Sequence, residues 1–174
     1  MLCTANQCRS PMAAALLRKH LAAEGIDAQV ASAGFLEGGR PAASRAVEVL
    51  AARGVDIASH RSRRISAEDV RRADLVIGMT AAHVRDAVVE FNSPLARTFG
   101  FRELIRRAAT AGPRLAGEDV MEWLDRVGER RRASQLVGTT DDDIPDPIGE
   151  PIKAYEATAS ELDELTAQLA AFLR

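Results

Sequence analysis

The sequence predicts an α/β fold with a parallel sheet, on three observations. Short β-branched runs alternate with helix-length amphipathic stretches, the order expected of strand–helix–strand units. Leu75–Met79 is a continuous apolar run, as a strand buried on both faces requires. The chain has 174 residues, enough for one domain with a substantial core and short for two.

The elements follow in order. Ser10-Pro11 reads as a helix N-cap with proline at the first helical position, opening a helix over Met12–Ala23 that buries Met12, Ala15 and Leu16 and stops at Gly25. Ala28–Ala33 is expected as a strand, Gly34–Pro41 as a glycine-rich loop, and Ala42–Arg53 as a helix ended by Gly54. His60–Arg64 is a basic connection. Ser66 caps a short helix, with Asp69 as its capping-box partner. Leu75–Met79 and Leu95–Phe99 are strands on either side of a helix over Ala81–Glu90. Phe101–Gly138 is mostly helical with a break near Gly112-Pro113, and the acidic loop Thr139–Pro147 follows. Ile152–Leu173 closes the chain as a long helix with Leu162, Leu165, Leu169 and Phe172 on its apolar stripe. The pattern shows a single domain over 1–174, with no repeat or interdomain linker.

Only Met1 and Leu2 precede Cys3, so the first strand is truncated at the N-terminus. A start further upstream is the expectation, because a missing central strand leaves backbone groups unpaired inside the sheet.

Composition excludes several classes. Apolar residues make up 47% and charged residues 28%, with a net charge of −2, an ordinary soluble profile without a global attraction to nucleic acid or acidic membrane. No stretch approaches the roughly 20 apolar residues of a bilayer span, and no secretory signal opens the chain, so a cytoplasmic location is expected. The basic runs Arg61–Arg64 and Arg130–Arg132 read first as solvated faces, one of which could draw in an anion. The two cysteines, Cys3 and Cys8, are too few and too close for a disulfide scaffold. His20, His60 and His83 are scattered, so neither a metal site nor a cofactor is expected. Oligomeric state leaves no mark on the sequence.

The chemistry concentrates in Cys3-Thr4-Ala5-Asn6-Gln7-Cys8-Arg9. Five residues between a thiol and a guanidinium can wrap so that successive N–H groups converge, and a helix start adds its dipole: an anion site by geometry. The same field favours a thiolate, which makes Cys3 a nucleophile. Arg9 can grip two phosphoryl oxygens. Asn6 suits a left-handed position. Ser10 can donate to the Cys3 sulfur. An acid is then needed to protonate the leaving group, and Asp141, Asp142, Asp143 and Asp146 compete for that role. Pro147 restricts the backbone at Asp146 and would help to hold its carboxyl in place.

The loop resembles that of the low-molecular-weight protein tyrosine phosphatases, whose pattern is Cys-x-Gly-Asn-x-Cys-Arg-Ser-Pro. Ser32-Ala33-Gly34, Gly54-Val55-Asp56, His60-Arg61-x-Arg63, Asp74-Leu75-Val76, Met79-Thr80 and Asp146-Pro147 extend the likeness along almost the whole chain. The resemblance implies a four-stranded parallel sheet flanked by helices and a phosphatase acting on phosphotyrosine or other aryl phosphates, in phosphorylated proteins or small molecules. It implies catalysis through a cysteinyl-phosphate, with Cys3 as nucleophile, Arg9 as phosphate-binding arginine and Asp146 as general acid. The phosphate would lie on Thr4, Ala5, Asn6, Gln7, Cys8 and Arg9. Asn6, Ser10, Ser32 and His60 would support the loop, and Cys8 would shield Cys3 as a reversible disulfide.

The chain departs from the family at three places. Ala5 replaces a glycine, which is costly only if that position has positive φ. Ile148 replaces an aromatic residue, and Phe35 a small polar one. Phe35, Leu36 and Ile148 are expected to form an apolar wall. Two rivals share the loop: a thiol-coupled arsenate reductase, which would need an external thiol because no cysteine follows Cys8, and a non-catalytic phosphate- or phosphopeptide-binding module.

Overall fold

The computed structural model describes residues 1–132 and 141–174. Four parallel strands form one sheet in the order β2-β1-β3-β4: β1 Leu2–Cys3, β2 Ala33–Gly34, β3 Val76–Gly78 and β4 Thr98–Gly100. Strand alternation splits the core. Leu2 and Val76 join Ala33, Ile65, Val70 and Ala87 on one face, while Cys3, Ile77 and Phe99 join the larger cluster on the other.

The first helix, α1, spans Arg9–Ala23, two to three residues longer at its start than the proline signal predicts. Its Ala, Leu, Met, Arg and Lys content suits a helix, and Gly25, at φ 70°, turns the chain out of it. The residue before α1 is Cys8, without a side-chain cap. Ser10 therefore lies inside the first turn and does not cap it. Helix α1 is buried along Arg9–Leu17 because α7, Ile152–Leu173, packs across it.

The predicted strand Ala28–Ala33 shrinks to Ala33–Gly34. Met1 bridges its last part, its amino group donating to the Ala31 carbonyl and its carbonyl accepting from the Ala33 amide, while 28–30 pair with no strand among the described residues, and strand propensity without a partner forms no strand. Helix α2 spans Ser44–Ala51, α3 Ala67–Arg72 and α4 Ala81–Phe91. The Ser66–Asp69 capping box at α3 is formed in both directions. Leu95–Arg97, the first part of the expected strand Leu95–Phe99, is a 3₁₀ turn, and β4 begins three residues later. Phe101–Ala111 is α5, and Val120–Val127 is α6 beyond the Gly112-Pro113 break. The last part of the expected 101–138 helical region, and Thr139 and Thr140, lie outside the described residues. Among the described residues no helix is long and apolar enough to cross a membrane.

Candidate active site

The segment 4–8 joins the end of β1 to the start of α1, at the carboxyl edge of the central strand. Ligand sites in open parallel sheets collect at this edge. Among the described residues, the backbone amides of Ala5, Asn6, Gln7, Cys8 and Arg9 donate to no acceptor within the chain. Successive free amides beside a helix N-terminus suit an anion.

Asn6 organises the loop. It is buried, its φ is 53°, and an amide side chain tolerates that conformation better than most. Its Nδ2 donates to Ser10 Oγ and to Ser32 Oγ, each at 2.9 Å. Its Oδ1 accepts from the Arg63 amide at 3.0 Å, and its carbonyl accepts from His60 Nε2 at 2.8 Å. The loop is thus held from β2, from α1 and from the basic 60–64 connection. Arg63 and Arg64 on that connection pair with Asp69 and Glu37. Ala5 is not among the residues with positive φ, so its methyl costs the backbone nothing. The close approach falls instead on Gly34, where a Cβ would lie 2.7 Å from the Thr4 carbonyl oxygen and 2.8 Å from the Asn6 nitrogen.

Cys3 Sγ lies 3.0 Å from Ser10 Oγ. Asn6 already donates to that hydroxyl, whose single proton has two acceptors in reach, the sulfur and, at 3.4 Å, the Ala33 carbonyl; the sulfur is the nearer. Cys8 is also a free, buried thiol, and burial, reinforced by Asp146 and Cys3, raises its pKa well above the ordinary value. Cys8 therefore stays protonated.

Arg9 is buried. Its Nη1 donates to the Ile144 carbonyl at 3.0 Å and its Nη2 to Asp146 Oδ2 at 2.6 Å, while Nε has no partner among the described residues. The four competing aspartates separate cleanly. Asp142 pairs with Arg106, and Asp143 accepts from the Ala81 amide at the start of α4 at 2.7 Å. Asp141 offers only its carbonyl, to Arg102. Asp146 alone of the four reaches Arg9, with its Oδ1 accepting from the Ile148 amide at 3.2 Å. The loop carrying it is held by Ile144, whose amide donates to the Met79 carbonyl at the end of β3.

The expected apolar wall is incomplete. Leu36 and Ile148 are exposed, but Phe35 stacks on His83 with ring centroids 5.7 Å apart and meets Phe91 edge-on. Gln7 turns its amide to the Pro41 carbonyl. His83, read from sequence only as a scattered histidine, is buried, with Nε2 3.0 Å from Thr4 Oγ1 and Nδ1 2.9 Å from Thr80 Oγ1. Burial, with Arg9 adding to it, lowers its pKa to about 4, so the ring is neutral at pH 7. Its one signal in the sequence is the spacing Thr80-x-x-His83, a cap with a partner one turn on. Among the described residues no cluster of His, Cys, Asp and Glu could hold a metal ion.

The comparisons with known proteins agree with this geometry. A family model described as low molecular weight phosphotyrosine protein phosphatase matches residues 1–115. The protein-arginine-phosphatase of Geobacillus stearothermophilus is 36% identical over 172 residues, covering 97% of this chain and 90% of that one. The probable low molecular weight protein-tyrosine-phosphatase EpsP of Ralstonia solanacearum is 39% identical over 104 residues, covering 60% of this chain and 70% of that one. Among solved structures, a low molecular weight protein tyrosine phosphatase from T. tengcongensis superposes with a TM-score of 0.76 at 31% identity, covering 99% and 96% of the two chains. The YwlE arginine phosphatase from Geobacillus stearothermophilus follows at 0.70 and 30%, covering 98% and 88%.

Proposed function

The chain belongs to the low molecular weight phosphotyrosine protein phosphatase family, and from that premise we propose that Cys3, Arg9 and Asp146 hydrolyse phosphotyrosine or other aryl phosphate monoesters. One observation carries the assignment of roles. The Cys3 sulfur sits 3.0 Å from the Ser10 hydroxyl, which can donate a hydrogen bond to it, beside an arginine whose Nε is buried without a partner among the described residues. A buried N–H without an acceptor is costly, and a phosphoryl oxygen would satisfy it.

The chemistry balances in two steps. The Cys3 thiolate forms a bond to phosphorus as the ester P–O bond breaks, and Asp146 in its acid form gives its proton to the departing oxygen. Water then attacks phosphorus, Asp146 takes the water's proton, and the thiolate leaves as phosphate forms. The free amides of the loop and Arg9 hold the three equatorial oxygens throughout. No cofactor is required. A cytoplasmic location suits a nucleophile that must stay a free thiol.

A second reading, hydrolysis of phosphoarginine in proteins, is favoured by the arginine phosphatase relative, which aligns along nearly the full length of the chain. Asp146, 43% exposed at the rim, would face a guanidinium leaving group as readily as a phenolic one.

The deciding experiment is phosphate release from phosphotyrosine and phosphoarginine peptides, with the Cys3→Ser variant as control. Release from phosphotyrosine that disappears in the variant supports the first reading, and release from phosphoarginine alone selects the second. Release from neither leaves the field to a phosphate-binding module or a thiol-coupled arsenate reductase, which oxyanion binding and arsenate-dependent thiol oxidation would tell apart.

A further inference from the structure

We infer that His83 is a positioning residue which turns the Thr4 hydroxyl proton outward as a hydrogen-bond donor to the bound substrate. The inference rests on the phosphatase reading above, and it assigns a recognition group that the nucleophile, the arginine and the acid do not supply.

The proton accounting runs through three side chains. Thr80 Oγ1 caps α4 and accepts from the His83 amide at 3.3 Å. That hydroxyl also has one proton to place, and among the described residues the other side-chain atom in hydrogen-bond reach is His83 Nδ1 at 2.9 Å. Either tautomer leaves one hydroxyl proton without an acceptor among the described residues: that of half-buried Thr80 if Nδ1 carries the ring proton, that of exposed Thr4 if Nε2 does. The arrangement that puts the unpaired proton on the exposed hydroxyl has Thr80 donating to Nδ1, which leaves the single proton of the neutral ring on Nε2. Nε2 then donates to Thr4 Oγ1 at 3.0 Å. Thr4 becomes the acceptor in that bond, and its own proton has no acceptor among the described residues.

The geometry holds this relay rigid. His83 is 5% exposed and stacked flat on Phe35 at an interplanar angle of 7°. The Thr4 carbonyl accepts from the amides of Phe35 and Leu36 at 2.8 and 3.2 Å, so both ends of Thr4 are fixed. Thr4 itself is exposed and directly follows Cys3 in the loop, where a substrate must pass. A fixed, exposed donor with no internal acceptor, next to the nucleophile, is a recognition group for a substrate oxygen. Phe35 takes its place in this account as the plate against which His83 is set.

The test compares Thr4→Val, His83→Leu, the double variant, Thr4→Ser and His83→Gln on whichever phosphopeptide the wild-type protein hydrolyses in a Cys3-dependent manner. Thr4→Val and His83→Leu should each raise KM about 5- to 30-fold, the range of one lost hydrogen bond, with the loss falling mainly on KM. The double variant should be no worse than either single one. Thr4→Ser and His83→Gln, whose hydroxyl and amide can still donate, should recover most of the loss. Additive losses, or a Thr4→Val variant with wild-type KM, would overturn the inference. A second readout needs no turnover: ¹⁵N NMR of the imidazole should show the Nε2–H tautomer in the free protein, and an Nδ1–H ring overturns the inference even if the phosphatase reading stands. If no phosphopeptide is hydrolysed, the phosphatase reading fails on its own and the tautomer still decides the relay.

Discussion

Arg9 and Asp146, 137 residues apart in sequence, form an ion pair at 2.6 Å, with side chains 5% and 43% exposed. The acid candidate thus rests on the arginine that would receive the phosphoryl group, and a substrate entering the loop exchanges one anion for another at the same guanidinium. Asp146→Asn should separate these roles. Hydrolysis of esters with poor leaving groups should fall by on the order of 10²–10⁴-fold, while activated esters slow much less. Vanadate should bind at least as tightly as to the wild-type protein, because the competing carboxylate is gone. Equal slowing of both ester classes would remove Asp146 from the acid role.

Cys3→Ser should lose turnover by on the order of 10⁴-fold or more. Phosphate binding should persist, since the free amides and Arg9 are untouched. Calorimetric titration with phosphate alongside the assay checks both halves.

Gly34→Ala should be damaging although its position is not in a special conformation. The added Cβ would meet the backbone of Thr4, Ala5 and Asn6 at 2.7–2.9 Å, and backbone cannot step aside as a flexible side chain can. A loss of about 1–3 kcal/mol is expected from overpacking, together with weaker phosphate binding as the loop shifts. Unchanged melting and binding would mean that the contact relaxes freely.

Ala5→Gly, which restores the residue usual in the resembled loop, should gain nothing. Ala5 does not have positive φ, so the glycine only adds chain entropy to the unfolded state, costing about 0.5–1 kcal/mol. Denaturant melts of the two proteins measure the difference, and stabilisation by glycine would contradict the backbone conformation described here.

Stability should fall on acidification through His83. Its folded-state pKa, lowered by burial and by Arg9 against smaller opposing effects of Asp86 and Asp146, is about 4, below the ordinary value of 6.5. Between these values the unfolded chain holds the proton and the folded chain does not, so the contribution is complete above pH 6.5 and is lost as pH falls toward 4. The full loss is on the order of 3 kcal/mol. Melting temperatures at pH 7 and pH 5 should differ less in His83→Gln than in the wild-type protein; an equal slope would place the acid sensitivity elsewhere.

Much of the site could be read from the sequence because its parts are contiguous. The five residues between Cys3 and Arg9, the left-handed tendency of asparagine and the adjoining helix are all set by local backbone rules, and these act without knowledge of the rest of the chain. The Ser66–Asp69 cap and the long closing helix were legible for the same reason. Tertiary structure decided everything that depended on who stands opposite. It tied Asp146 to Arg9 and Asp143 to the start of α4. It left 28–30 out of the sheet, because a ladder needs a partner and propensity does not supply one. It moved Phe35 from the expected wall to a stack on His83, and it set that histidine, of no evident role in the sequence, against Thr4 beside Cys3. Local pattern specifies which conformations a segment can adopt; which side chains then meet is settled by packing across separations of 79 and 137 residues, which no local rule spans.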